Sequence, residues 1–254
     1  MHRIKTFNTI SPLGLNRFPA NDFEVGPDVE NADAILLRSQ KLDSSILSDQ
    51  LRAIARAGAG TNNVPVADCT EKGVVVFNTP GANANAVKEL VLCGMLLASR
   101  GIVPGIGFAN EQSPNSNYDE LSKLMEAEKK RFKGSEIAGK TLGVVGLGAI
   151  GSLVAEMAIS LGMKVQGYDP ALSVAAASRL PSQVKRIENL TSLAASSDFI
   201  SLHLPVLDST RGLINSEFFG AMGEQTSLLN FARDEIVDTG ALIAALDSGQ
   251  LHRY

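Results

Sequence analysis

The segment Thr141–Gly151, Thr-Leu-Gly-Val-Val-Gly-Leu-Gly-Ala-Ile-Gly, constrains the fold more than any other stretch of the chain. An apolar run feeds G-x-G-x-x-G, and the last glycine opens the helical pattern Ile150–Leu161. That succession implies a buried strand, a tight turn and a helix, the first βα unit of a dinucleotide-binding sheet. Gly146 permits the sharp turn, Gly148 lets backbone approach a diphosphate, and Gly151 lets helix and strand pack closely. The helix N-terminus then offers free N–H groups and a positive dipole end to phosphate. The next apolar run, Lys164–Tyr168, ends in Asp169-Pro170. A carboxylate there accepts hydrogen bonds from ribose hydroxyls and repels a 2′-phosphate, so NAD is expected rather than NADP. The competing reading is a glycine-rich turn followed by a turn Asp before Pro170. The ordered run of strand, glycines, helix, strand and acid weighs against it.

Short apolar runs alternate with helical stretches elsewhere too, which predicts parallel βαβ units. Ala34–Leu37, Arg52–Ala55 and Val74–Phe77 read as buried strands, with helical links at Asp43–Asp49 and Pro65–Lys72. Asn78-Thr79-Pro80-Gly81 is a strong breaker ahead of a long helical pattern, Ala84–Ser99. Ile102–Asn117, rich in Gly, Pro, Asn and Ser, reads as an extended connection, and Asp119–Phe132 as an amphipathic helix. Beyond Lys164–Tyr168, strands are expected at Asp198–Leu204 and Ser227–Ala232. A helix at Thr239–Ser248 is closed by Gly249 as its C′ glycine. We therefore expect an α/β fold of two domains. Residues 1–83 form a flavodoxin-like α/β substrate domain, and residues 84–254 a doubly wound parallel sheet of the Rossmann type. Both are expected to be incomplete at the C-terminus, since the chain stops at Tyr254 before the strand that should follow its last helix.

Composition narrows the function. The 254 residues carry a net charge of −4, with 44% hydrophobic residues. No basic footprint invites a nucleic-acid partner. No apolar run suits a membrane span, and no leader is seen at the N-terminus. Cys69 and Cys93 belong to no ligand pattern, so no metal is expected, and both read as buried reduced thiols of a cytoplasmic protein. Arg233 ends the Ser227–Ala232 strand, where open α/β sheets bind ligands, and a guanidinium there suits a substrate carboxylate. Taken alone, a solvated Arg in a strand-to-helix loop is the better explanation.

The motifs Gly146-x-Gly148-x-x-Gly151, Asp169, Ser201-Leu202-His203-Leu204-Pro205 with Thr210 and Ile214-Asn215, and Asn230-Phe231-Ala232-Arg233 with Ile236-Val237-Asp238 occur in order. Together they resemble the D-isomer-specific 2-hydroxyacid dehydrogenases, above all the phosphoglycerate branch. The resemblance covers essentially the whole chain. It implies hydride exchange between NAD and C2 of a 2-hydroxy acid, most specifically oxidation of 3-phosphoglycerate to 3-phosphohydroxypyruvate, the first step of serine synthesis. The alternatives it leaves are another acid of the glycerate or lactate type, or an NAD-binding regulator of the corepressor kind without turnover.

The resemblance makes Arg233 the catalytic residue that binds carboxylate and carbonyl. It sets Gly146, Gly148, Ala149, Ile150, Gly151, Asp169, Pro170, His203, Pro205, Thr210, Asn230 and Ala232 around NAD. Arg56-Ala57-Gly58-Ala59-Gly60 resembles the family's substrate loop, whose N–H groups form an anion nest, and Arg38-Ser39 a second one. Arg38 and Arg56 would hold a 3-phosphate, and Lys129, Lys130 and Arg131 either add to that field or form a solvated face. Asn78–Gly81 resembles the interdomain hinge. The helix with Val87–Leu90 borders the dimer interface in relatives, so a homodimer or higher homo-oligomer is expected, with a small-molecule acid as the other partner. Two departures stand out. Asp234 and Glu235 replace the small residues usual after the Arg and are placed to pair with it. The family's catalytic Glu and His lie downstream of the Arg, where this chain has only Glu235 and His252 in unsuitable places, so it is expected to stop short of both.

Overall fold

The computed structural model describes every residue except Ser116 and Arg179. The chain divides into two compact units, Met1–Asn83 and Ala84–Tyr254.

The first unit is a parallel sheet of β1 (His2–Thr6), β2 (Phe23–Gly26), β3 (Ala34–Leu37), β4 (Ala53–Arg56) and β5 (Val75–Phe77). Their order, β2-β1-β3-β4-β5, is that of flavodoxin-like sheets. Two short helices, α1 (Pro12–Leu15) and α2 (Val66–Glu71), join them. Apolar residues fix the register: Leu37 and Ile54 are fully enclosed in one cluster with Val64, Cys69 and Val74. Strand β1 carries no continuous apolar run. It alternates charged residues with the buried Ile4 and Thr6, and its partners on both sides make it central. The helical link expected at Asp43–Asp49 is only a single 3-10 turn, Ser44–Ile46, because Asp43 caps it by accepting from the Ser45 N–H at 2.8 Å and no apolar stripe follows.

The second unit opens with helices α3 (Ala84–Ser99), α4 (Ile102–Gln112) and α5 (Tyr118–Glu128). Then β6 (Thr141–Val145), α6 (Ala149–Ser160), β7 (Lys164–Tyr168), α7 (Val174–Ala177), β8 (Lys185–Arg186) and α8 (Leu190–Ala195) follow. The last elements are β9 (Phe199–Leu202), α9 (Ser216–Ala221), β10 (Ser227–Asn230) and α10 (Thr239–Asp247). All five strands are parallel, in the order β10-β9-β6-β7-β8. Counted within the unit this is 3-2-1-4-5 read backwards, the Rossmann order. Helices cover both faces. Val91 and Met95 of α3 and Val154 of α6 pack on Leu142 and Val144, whereas Leu193, Phe218 and Ile236 pack on Ile200 and Leu202. Burial on both faces explains the continuous apolar run of β9.

Two expectations are corrected. Ile102–Asn117 is not an extended connection: it forms α4 and a 3-10 turn, Ser113–Asn115, and Ser116 lies outside the described residues. Pro104 sits in the first turn of α4, where its missing N–H has no intrahelical partner to lose. Cys69 is buried as expected, but Cys93 is exposed on α3. As expected, no strand follows α10 among the described residues, and the chain makes only an isolated contact with the sheet there. Arg253 bridges in parallel to Ser227, and the Leu228 N–H donates to Arg253 O at 2.9 Å, along the outer edge of β10.

Candidate functional site

Strands β6 and β9 are adjacent, but their chain connections leave in opposite directions. Such a switch point opens a crevice beyond the carboxyl ends of the strands. The glycine turn lies there. Gly146 has φ +93°, and its N–H donates to Tyr168 O at 2.8 Å, tying the turn to the end of β7. A Cβ on Gly146 would meet His203 O at 2.6 Å, and one on Gly151 would meet Gly146 O at 1.9 Å. Both positions are therefore closed to side chains by backbone. Gly148 differs, because nothing lies within 4 Å of a Cβ built there. It is the N-cap of α6 and brings no side chain to the helix's first N–H groups. The turn is thus tight where it packs on protein and bare where Ala149 and Ile150 start the helix, which fits a diphosphate seated on the dipole end.

Asp169 follows β7 and is oriented by two backbone donors. Its Oδ2 accepts from the Leu147 N–H at 2.9 Å and its Oδ1 from the Ala171 N–H at 3.0 Å. The carboxylate therefore stands beside the glycine turn with lone pairs to spare for ribose hydroxyls. Pro170 behind it is exposed. His203 extends β9, its N–H donating to Val145 O at 2.8 Å, and its Nε2 lies 2.9 Å from Ser201 Oγ. Burial pushes its pKa down to about 4, so the imidazole is neutral at physiological pH. In the loop after β9, Thr210 Oγ1 donates to Pro205 O at 2.7 Å and accepts from the Leu207 N–H at 2.8 Å, closing that loop on itself.

Beyond β10, Asn230 holds the next loop: its Nδ2 donates to Arg233 O at 2.9 Å and its Oδ1 accepts from the Ala232 N–H at 3.1 Å. Arg233 is exposed, and its Nη1 donates to Ala232 O at 2.7 Å.

These features match known proteins. The family described as D-isomer specific 2-hydroxyacid dehydrogenase, NAD binding domain, matches residues 105–254. Hydroxypyruvate reductase of Thermotoga maritima is 37% identical over 227 residues, 88% of this chain and 68% of that protein. The chain belongs to the D-isomer specific 2-hydroxyacid dehydrogenase family. D-3-phosphoglycerate dehydrogenase of Rattus norvegicus is 36% identical over 230 residues, 89% of this chain. The chain spans 40% of the length of that relative. Among solved structures, holo D-mandelate dehydrogenase of Rhodotorula graminis superposes with a TM-score of 0.79 at 26% identity, covering 99% of this chain and 79% of that one. The NAD+-bound 3-phosphoglycerate dehydrogenase of Entamoeba histolytica gives 0.74, also at 26% identity and with 99% and 79% covered. NAD is the cofactor of this dehydrogenase fold, and the glycine turn with Asp169 suits it.

In this member of the dehydrogenase family, the residues after Arg233 depart from the expected arrangement. Among the described residues no ion pair joins Arg233 to Asp234 or Glu235. The Asp234 carboxyl is held below the usual range chiefly by hydrogen bonding with Glu235 and to backbone, and the Arg233 charge acts in the same direction. The two acids start a 3-10 turn, Asp234–Ile236, beside Arg233.

The first unit gathers its candidate residues at the carboxyl ends of β3 and β4. Arg56 Nε donates to Arg38 O at 3.0 Å, and a Cβ on Gly58 would strike the Arg56 guanidinium. The anion nest expected at Gly58–Gly60 is not open at its start, because the Gly58 N–H donates to Arg56 O at 2.8 Å. Asn78 Nδ2 donates to Ala59 O at 2.7 Å, and the Thr79 N–H to Gly58 O at 3.0 Å. A convergent set of N–H groups stands elsewhere. Arg38, Ser39 and Gln40 point theirs at Asn8 Oδ1, at 3.3, 2.9 and 2.8 Å. Asn8 escaped sequence reasoning, although an Asn just after a strand is a usual left-handed residue, and here φ is +64°. Of the basic run, Lys129 pairs with Glu126 and Arg131 with Glu128, and Arg131 also stacks over Phe108, which is the solvated-face arrangement.

Proposed function

We propose that this chain is the coenzyme-binding part, with a substrate-binding unit, of a dehydrogenase that oxidises 3-phosphoglycerate to 3-phosphohydroxypyruvate at the entry to serine synthesis. The observation that carries the reading is the glycine turn, bare only at Gly148 and flanked by the backbone-oriented carboxylate of Asp169. Bound NAD supplies the hydride acceptor for C2 of the acid. The residues of the chain bind and orient. Gly148, Ala149 and Ile150 take the diphosphate, and Asp169 takes the ribose hydroxyls. Arg233, released from Ala232 O, would take the substrate carboxylate and polarise its carbonyl oxygen. Arg38 and Arg56 supply positive charge for a phosphate, with the Arg38–Gln40 backbone held in place by Asn8. The similarity to D-3-phosphoglycerate dehydrogenases over most of the chain supports the phosphorylated acid.

The proton acceptor is assigned to no residue of this chain. His203 is engaged by Ser201, and His252, also with a lowered pKa through burial, lies after α10 beside Arg253. The test is therefore binding rather than turnover. With NAD present, calorimetry should give tighter binding of D-3-phosphoglycerate than of glycerate, and Arg38→Gln should weaken only the phosphorylated acid. Equal affinities would reject the phosphate assignment. A second reading, a hydroxypyruvate or glycerate enzyme, rests on the 37% identity to hydroxypyruvate reductase, and tighter binding of glycerate would favour it.

A further inference from the structure

Ser201 carries a hydroxyl where the sheet is otherwise apolar. Its register partners are Val144 on β6 and Leu229 on β10, both members of the cluster beneath α3 and α6. The residue is fully buried. Side chains two apart on a strand share a face, so Ser201 and His203 point the same way. Among the described residues the only partner of Ser201 Oγ is His203 Nε2, at 2.9 Å.

That isolation decides the direction of the bond. A buried O–H donor left without an acceptor is more costly than an oxygen with a spare lone pair. The hydroxyl proton must therefore go to Nε2, because no other acceptor among the described residues is within reach. A neutral imidazole that accepts at Nε2 carries its own proton on Nδ1. Among the described residues Nδ1 has no partner. The ring stands at the end of β9, whose backbone closes over Gly146 in the turn that suits the diphosphate.

We propose that Ser201 is a positioning residue: it locks His203 in the Nδ1–H form, so that the ring offers a hydrogen-bond donor, and never an acceptor, to an oxygen of the bound coenzyme. This rests on the coenzyme reading given above. The lowered basicity of the ring agrees with it, since a protonated ring would lose the bond from Ser201. A Thr would keep the hydroxyl and hence the tautomer. An Ala would leave Nε2 facing apolar side chains and free the ring to exchange tautomers.

The experiment is nitrogen-15 NMR of the histidine rings in the chain without ligand at neutral pH, together with calorimetric titration of NAD. The wild-type protein should show His203 protonated at Nδ1 and bare at Nε2. Ser201→Ala should mix the two tautomers and weaken NAD binding several-fold while the melt stays cooperative, and Ser201→Thr should restore both. A wild-type His203 protonated at Nε2 would overturn the proposal without any variant. So would a Ser201→Ala protein with unchanged ring signals and unchanged NAD affinity. If the tautomer is as stated but the wild-type chain binds no NAD, the coenzyme reading fails and the positioning role fails with it, while the Ser201–His203 lock stands.

Discussion

At the scale of single residues, the three glycines of the turn separate folding from binding. A Cβ at Gly148 meets nothing, and its φ of −71° suits any residue, so Gly148→Ala should melt like the wild type but bind NAD at least tenfold more weakly. Gly151→Ala drives a methyl into Gly146 O and should cost about 1–3 kcal/mol as well as the binding, as denaturant titration would show. Asp169→Asn removes the charge that repels a 2′-phosphate, so the ratio of NAD to NADP affinity should fall about tenfold in parallel titrations. His203 makes stability depend on pH. Its pKa falls from 6.5 to about 4 on folding, so the unfolded chain binds the extra proton between those values. Stability is complete above pH 6.5 and is lost as the pH falls through 4, by about 3 kcal/mol in all. His203→Gln should flatten that slope in urea melts at pH 4.5 and 7.

At the scale of elements, what the sequence could show depended on where apolar residues sit. Strands β3 and β6 were readable residue for residue as short apolar runs with punctuated ends, and β7 through its place between the α6 helix and Asp169-Pro170. Strand β1 was not, since only Ile4 and Thr6 face the core and charges fill the rest. Helix α4 was hidden by its glycines. Gly105 and Gly107 inside it did not break it, and the close approach falls at its N-cap, where a Cβ on Gly101 would strike Phe132 backbone at 2.6 Å. The coenzyme turn was legible because its chemistry is local in sequence. The support of the Arg38 loop was not, because Asn8 reaches it across 30 residues of chain. That support has a measurable worth. Asn8→Ala removes an acceptor shared by three exposed N–H groups and places a Cβ-bearing Ala at φ +64°, and should destabilise the first unit by about 1–2 kcal/mol in urea denaturation, whereas Asn8→Asp should be tolerated.

At the scale of the whole molecule, two parallel sheets of unlike order divide the work. One carries loops rich in backbone donors and arginine, the other a dinucleotide turn. Among the described residues no single helix is long and apolar enough to cross a membrane. A ligand that binds only the folded second unit stabilises it by mass action, about 2.7 kcal/mol at one hundred times its dissociation constant. Titration of NAD into the folded wild-type chain tests the central claim most directly. We predict saturable binding of one NAD per chain, with slowed amide exchange over residues 146–151 and 169–171. A cooperatively folded sample that takes up neither NAD nor NADH would contradict it.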